Sequence, residues 1–327
     1  MKKLFVFLLG LDLILVSCSA PRLAATPTLT SSPDILSTPW EDRSIFKSGL
    51  IASQQAVLDQ LTNASVYHLD FNIADDLYHI TGTENVQYTN AETVALNELQ
   101  LRLFPNILGG NMTVKNVNID GKAVTPKYGL ENSLLILPFA KPLEPNQSLI
   151  LHLEFAVTVP QSVELNYGVL AYFDHVLTLA HSYAMISVFD DQGWNAEIPS
   201  QNGDLTYADE SFYLVRVTAP KGLTLVTTGQ TISSDDASQV QTIDIASGPA
   251  RDFYLIASPN YTEVSQTFGE VTIHSYAPET SKKAPNWLLR LLPVQSEIME
   301  PGMPRFHIQN SILPPRQRSP WASNIRA

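Results

Sequence analysis

Between residues 65 and 277 hydrophobic and polar positions alternate in short runs, the two-residue period of half-buried strands. Tyr67, Leu69, Phe71 and Ile73 share one face, and His68, Asp70 and Asn72 take the other. Residues 80–106, ITGTENVQYTNAETVALNELQLRLFPN, read as a hairpin. Thr81, Thr83, Asn85, Gln87 and Thr89 make a polar face, a polar patch turns the chain, and Leu99, Leu101 and Leu103 then alternate with Gln100 and Arg102. Glu84 falls in phase with Ile80, Val86 and Tyr88, and as a charged residue it is expected at the rim. Leu149, Leu151, Leu153, Phe155 and Val157 form another half-buried strand, and strand-like runs recur at 134–137, 212–217, 223–227, 253–257 and 271–276. Asp120-Gly121 predicts a tight turn between 117–119 and 122–125. Ahead of these strands, Leu50, Ile51, Gln54, Val57, Leu58 and Leu61 fall near a 3.6-residue period and predict a short helix. The pattern as a whole predicts an all-β fold, an antiparallel saddle or sandwich with a short N-terminal helix. No 20–50-residue repeat is visible, which argues against a propeller or solenoid.

The chain has 327 residues, enough for a substantial core, and a net charge of −12. That charge argues against a nucleic-acid partner, because phosphate binding requires clustered Lys and Arg. The charge is unevenly spread. Residues 301–327 carry four Arg, five Pro and no acid, whereas residues 18–300 carry −17 once the +1 of residues 1–17 and the +4 of the tail are set aside from −12. Pro301, Pro304, Pro314, Pro315 and Pro320 forbid a long helix there. So abrupt a reversal suggests a tail foreign to the fold, such as a frameshift product; the alternative is a functional basic tail.

At the N-terminus Lys2 and Lys3 precede the apolar run 4–16, which is too short to span a bilayer and fits a secretory signal, with Asp12 as a blemish. The run ends in Leu15-Val16-Ser17-Cys18, which resembles the lipobox of bacterial lipoproteins. By that resemblance residues 1–17 are removed and Cys18, the sole cysteine, carries the lipid, whose acyl chains anchor the protein to membrane lipid on the extracytoplasmic side of a bacterial envelope. A plain signal peptide with an incidental cysteine is the alternative. Residues 18–42 are rich in Pro, Ser and Thr and read as a disordered tether; the 22 residues 19–40 would span roughly 25 Å r.m.s..

Other chemistries find little support. No G-x-S-x-G or G-x-x-x-x-G-K-[ST] motif occurs, and with Cys18 committed to lipid no thiol remains for catalysis. Asp75-Asp76, Asp190-Asp191 and Asp235-Asp236 read as solvated turn residues rather than calcium ligands.

The ordered stretches Tyr67-His-Leu-Asp-Phe-Asn-Ile, Ile80-Thr-Gly, Val86-Gln-Tyr-Thr-Asn and Leu99-Gln-Leu-Arg-Leu-Phe-Pro-Asn resemble the N-terminal β-domain of the aminopeptidase N family of zinc metallopeptidases. Further matches are Val188-Phe-Asp-Asp-Gln-Gly-Trp194, residues 212–220, Thr228-Gly229 and Ala250-Arg-Asp-Phe253, so the resemblance runs in order from about residue 49 to 277. It implies that residues 43–280 are that β-domain and that residues 281–327 hold only the start of a catalytic domain followed by the atypical tail.

The family's zinc is held by H-E-x-x-H on a helix and a later Glu, because residues i and i+4 share a helix face and the intervening Glu activates the metal-bound water. None of the seven histidines here, His68, His79, His152, His175, His181, His274 and His307, is followed by Glu. The G-x-M-E-N signature is missing as well, since Gly302-Met303-Pro304 does not match it. The expectation is therefore no catalytic residue, no metal ligand and no cofactor in this chain, zinc belonging to full-length relatives. In those relatives the β-domain lends a Gln or Glu that grips the substrate's free amino group. The resemblance places that region at 179–185, LAHSYAM, where His181 or Tyr183 would stand at the edge and Ala184 departs from a frequent Pro. Tyr183, Ala184, Met185 and Trp194 are expected on a face left exposed without a catalytic domain, promoting self-association.

The sequence thus predicts a lipid-anchored, non-catalytic domain that meets a separately encoded catalytic domain or peptides. A self-sufficient lipoprotein that binds peptides or an envelope partner is the rival.

Overall fold

A computed structural model describes residues 34–199, 206–236 and 238–278. Cys18, the signal segment, most of the tether and residues 281–327 lie outside them.

One eight-stranded sheet forms the frame. Its spatial order is Gln230–Asp235, Val240–Ala250, Ser211–Pro220, Val66–Ile73, His79–Thr89, Ser148–Thr158, Asn111–Ile119 and Lys122–Ala123. Neighbours are antiparallel except Val66–Ile73 and Ser211–Pro220, which run parallel with Tyr67 opposite Tyr213. The sheet is therefore mixed rather than wholly antiparallel. Two four-stranded sheets accompany it. One orders Met185–Ile186, Leu96–Arg102, Leu134–Leu143 and Lys127–Gly129; the other orders Thr224–Thr227, Leu255–Ser258, Val176–Leu179 and Leu170–Phe173. All three sheets contribute to a single core, with Leu69, Phe71, Leu151 and Leu153 from the large sheet, Leu99, Leu101, Leu135 and Leu137 from the second, and Leu177, Leu179, Leu255 and Ala257 from the third. Alternation foretold this inward set, since a period of two delivers every second side chain to one side.

Gly82 shows how tightly the large sheet is filled. A Cβ there would collide with the Phe155 ring and the Asp70 carbonyl, so only glycine lets the aromatic cross its strand neighbour. The predicted turn at Asp120-Gly121 is present, with φ of 51° and 73°, the two positive angles of a type I′ hairpin.

Residues 80–106 do not form a hairpin. Strand 79–89 lies in the large sheet and strand 96–102 in the second, so the chain crosses between layers at 90–95. Asn90 fixes the crossing from a fully buried position: Nδ2 donates to the carbonyls of Val94 (2.9 Å) and Leu143 (2.8 Å), and Oδ1 accepts the Glu92 N–H (3.0 Å).

The expected short helix is a pair of 3₁₀ segments, Ser44–Gly49 and Ala52–Asp59, which bury Phe46 and Leu58 respectively. Residues 34–42, expected in the tether, are folded onto the outer face of the large sheet. Ile35, Phe46 and Leu58 pack with Val66, Phe212, Leu214 and Ala246, and Trp40 stacks on His68 at 3.9 Å. His68 Nδ1 donates to the Leu36 carbonyl (3.0 Å), and Arg216 joins Asp34 (3.0 Å) to Asp244 (2.8 Å). Burial pushes the His68 imidazole down to about 4, so it stays neutral beneath this strap. Enough apolar surface lies beyond residue 34 to order a segment that its Pro and Ser content suggested was free. Among the described residues no helix is long and apolar enough to cross a membrane.

Candidate functional site

Strand Val176–Leu179 is hydrogen-bonded to Leu170–Phe173 and Leu255–Ser258, and the chain leaving it turns through His181, whose φ of 53° is unusual for a non-glycine residue. It then enters the short strand Met185–Ile186, which pairs with Leu101 and Arg102. Residues 180–184 are thereby held where the third sheet gives way to the second.

A chain of polar contacts runs through this crossing. His181 Nδ1 lies 2.8 Å from Asp252 Oδ2, and its Nε2 lies 2.8 Å from Thr206 Oγ1. Tyr183 OH donates to the other Asp252 oxygen at 2.9 Å, and the Phe253 N–H reaches the same hydroxyl at 3.4 Å. One carboxylate thus orients both residues singled out by the sequence. The Tyr183 ring stands edge-on to Tyr67 (5.5 Å) and Tyr213 (5.9 Å), which stack on each other at 5.0 Å. Burial raises all three phenols well above their usual range, so they act as hydroxyls and not phenolates.

Glu84 completes the cluster, and it is not at the rim. It is 0% exposed; Oε2 accepts the Ala184 N–H at 3.0 Å, while Oε1 has no partner. Burial holds its carboxyl well above the usual range, outweighing the opposing effect of that single N–H, and so favours the neutral acid. Tyr67 OH accepts the Ile186 N–H at 3.1 Å. Two inward side chains of the large sheet therefore grip the backbone of 184–186.

The expected exposed edge is not exposed. Tyr183 and Ala184 are fully buried and Met185 is 3% exposed, leaving only Trp194 half-buried against Phe189 and Tyr88. Tyr183 is inside because Asp252 gives its hydroxyl a partner and two tyrosine rings receive its own. His181 remains partly accessible, with its side chain 14% exposed beside Phe104 at 5.2 Å. The structure brings His181 and Tyr183 together through Asp252. Sequence reasoning missed Glu84 and Asp252, although the phase of Ile80, Val86 and Tyr88 already pointed Glu84 inward.

The aspartate pairs behave as turn residues where they are shown. Asp76 accepts the N–H of Tyr78 and of His79 (both 3.1 Å), and Asp190 accepts that of Gln192 (2.8 Å). A groove of about 600 Å³ lies elsewhere, lined by Lys47, Gln55, Thr231, Glu270 and His274 among others, and shares no residue with the polar cluster.

No family model matches the chain, and no curated protein matches it. Among solved structures it is similar to the M1 zinc metallopeptidase of Deinococcus radiodurans, at 17% identity and a TM-score of 0.49, over 72% of this chain and 53% of that one. A mutant of that enzyme bound to a Tyr-Ser-Ala substrate matches at 16% identity and a TM-score of 0.46, over 72% and 54%. The chain spans about half the length of these enzymes. Among the described residues no three His, Cys, Asp or Glu side chains converge into a set able to hold a metal ion, so those residues do not fit a zinc site.

Proposed function

We propose that this chain is a lipid-anchored, non-catalytic β-domain of the aminopeptidase N type, tethered through Cys18 to the extracytoplasmic side of a bacterial envelope, where it meets a separately encoded catalytic domain or peptides. The observation supporting the family reading is the convergence at Tyr183. Tyr67, Tyr213 and Asp252 come from three separate stretches of the ordered resemblance, and each contacts Tyr183 directly. The segment that resemblance assigns to the substrate's amino end is held by the very stretches that carry it. The non-catalytic part rests on the sequence: none of the seven histidines opens an H-E-x-x-H motif. Anchoring is tested by Cys18→Ser, which is expected to move the protein from the membrane fraction to the soluble one; an unchanged distribution would contradict it.

The burial of Tyr183, Ala184 and Met185 favours a second reading, a self-sufficient binding lipoprotein. A domain that has lost a large partner leaves apolar surface in water, and this segment does not. Sedimentation of the full chain in detergent separates the two. Concentration-dependent self-association supports the first reading, and a monomer throughout supports the second.

A further inference from the structure

One face of the second sheet buries polar atoms that have no hydrogen-bond partner. Gln100 and Arg102 lie on the same face of strand 96–102, opposite to Leu99 and Leu101. Met185 pairs with Arg102, and the Ser187 N–H donates to the Gln100 carbonyl (2.9 Å), which brings Ser187 alongside. Arg102 is 5% exposed and Ser187 3%, yet Arg102 Nε and Nη2, Ser187 Oγ and Gln100 Oε1 are all buried without a hydrogen-bond partner. Four orphaned polar atoms on one strand neighbourhood are uncommon in a folded protein, where buried donors and acceptors are almost always satisfied. Arg102 is placed over the Phe104 ring at 4.9 Å, and Gln100 Nε2 donates to Glu98 Oε1 at 2.6 Å, leaving Gln100 Oε1 as acceptor. Burial pulls the guanidinium down from its usual range, and the exposed Glu197 is the one described carboxylate whose charge opposes this.

The nature of the orphans defines a ligand. Nε and Nη2 form the edge of a guanidinium that matches two oxygens of a planar carboxylate. Ser187 Oγ supplies a further donor, while Gln100 Oε1 requires a donor in return. A donor-free inorganic oxyanion such as sulfate would satisfy the arginine and serine and leave the glutamine oxygen unpaired. We infer that Arg102, Ser187 and Gln100 form a subsite for a carboxylate with a neighbouring N–H, the chemistry of a peptide's carboxyl end. Glu197 is the intramolecular rival for the same guanidinium. The assignment holds under either reading of the function, since it needs neither a catalytic domain nor the anchor.

The test is a titration of the full chain in detergent micelles, followed by the ¹⁵N side-chain resonances of arginine. The probes are N-acetyl-alanyl-alanine, its C-terminal amide and inorganic sulfate. The free acid is expected to bind saturably and shift the Arg102 Nε–H signal, with the amide and sulfate each weaker by about tenfold or more. Arg102→Lys, which keeps the charge and loses the fork, is expected to weaken the acid about tenfold with the far-UV spectrum unchanged. Should that variant not fold, Ser187→Ala weakens and Glu197→Gln tightens binding in a chain whose Arg102 is intact. Absence of saturable binding, equal affinity for acid and amide, or sulfate binding as tightly as the dipeptide would each overturn the assignment.

Discussion

Glu84 shows what burial does to a single side chain. Its strand phase, shared with Ile80, Val86 and Tyr88, pointed inward, and only its charge argued for the rim. The fold resolves the conflict by favouring the neutral carboxyl and giving it the Ala184 N–H. The unfolded chain loses this proton near 4.5 while the folded chain retains it to higher pH. Above that value the folded state binds more protons, so the stability that depends on Glu84 falls as pH rises and is fully present only below about 4.5. Glu84→Gln keeps an acceptor for Ala184 and cannot ionise. It is expected to differ least from wild type near pH 4 and to gain on it toward pH 8, by about 1.4 kcal/mol per unit until the folded pKa is passed. Denaturant midpoints across that range measure the gap, and a constant gap would refute the assignment. Tyr183 carries a related lesson. Its partner Asp252 lies 69 residues away in sequence, so no local pattern could reveal that its hydroxyl is satisfied inside.

Alternation placed the individual strands well and their connections poorly. The inward sets 67/69/71/73, 99/101/103 and 149/151/153/155/157 are all buried as the period requires. The same period is blind to which sheet a strand joins, and so it suggests one hairpin for strands 79–89 and 96–102, adjacent in sequence, although they belong to different sheets. What divides them is Asn90, an ordinary turn residue in the sequence but a fully buried three-bond staple in the fold. Asn90→Ala leaves two carbonyls and one N–H without their partner and is expected to destabilise the protein by about 2–4 kcal/mol. A loss under about 0.5 kcal/mol in chemical denaturation would show that the crossing is held by its backbone alone. The strap at 34–59 was half legible: the apolar residues were visible, but not that His68 and Trp40 would stack to carry residues 34–42 onto the sheet.

For the molecule as a whole, the all-β class followed from the sequence, whereas the parallel pairing of 66–73 with 211–220 did not, because alternation carries no information on strand direction. The ordered resemblance identified the stretches that meet at Tyr183, and the fold corrects their exposure by closing them within the domain's own sheets. One aspartate bridges the two expected site residues, Tyr183 is buried in the core, and His181 is left with its side chain partly accessible. The proposal that this chain is such a β-domain without the metal chemistry is tested most directly on the purified full chain. Elemental analysis for zinc is run together with release of amino acids from amino-acid amides, with and without chelator. Zinc far below one equivalent and no chelator-sensitive turnover are expected. Zinc near one equivalent accompanied by chelator-sensitive hydrolysis would contradict it.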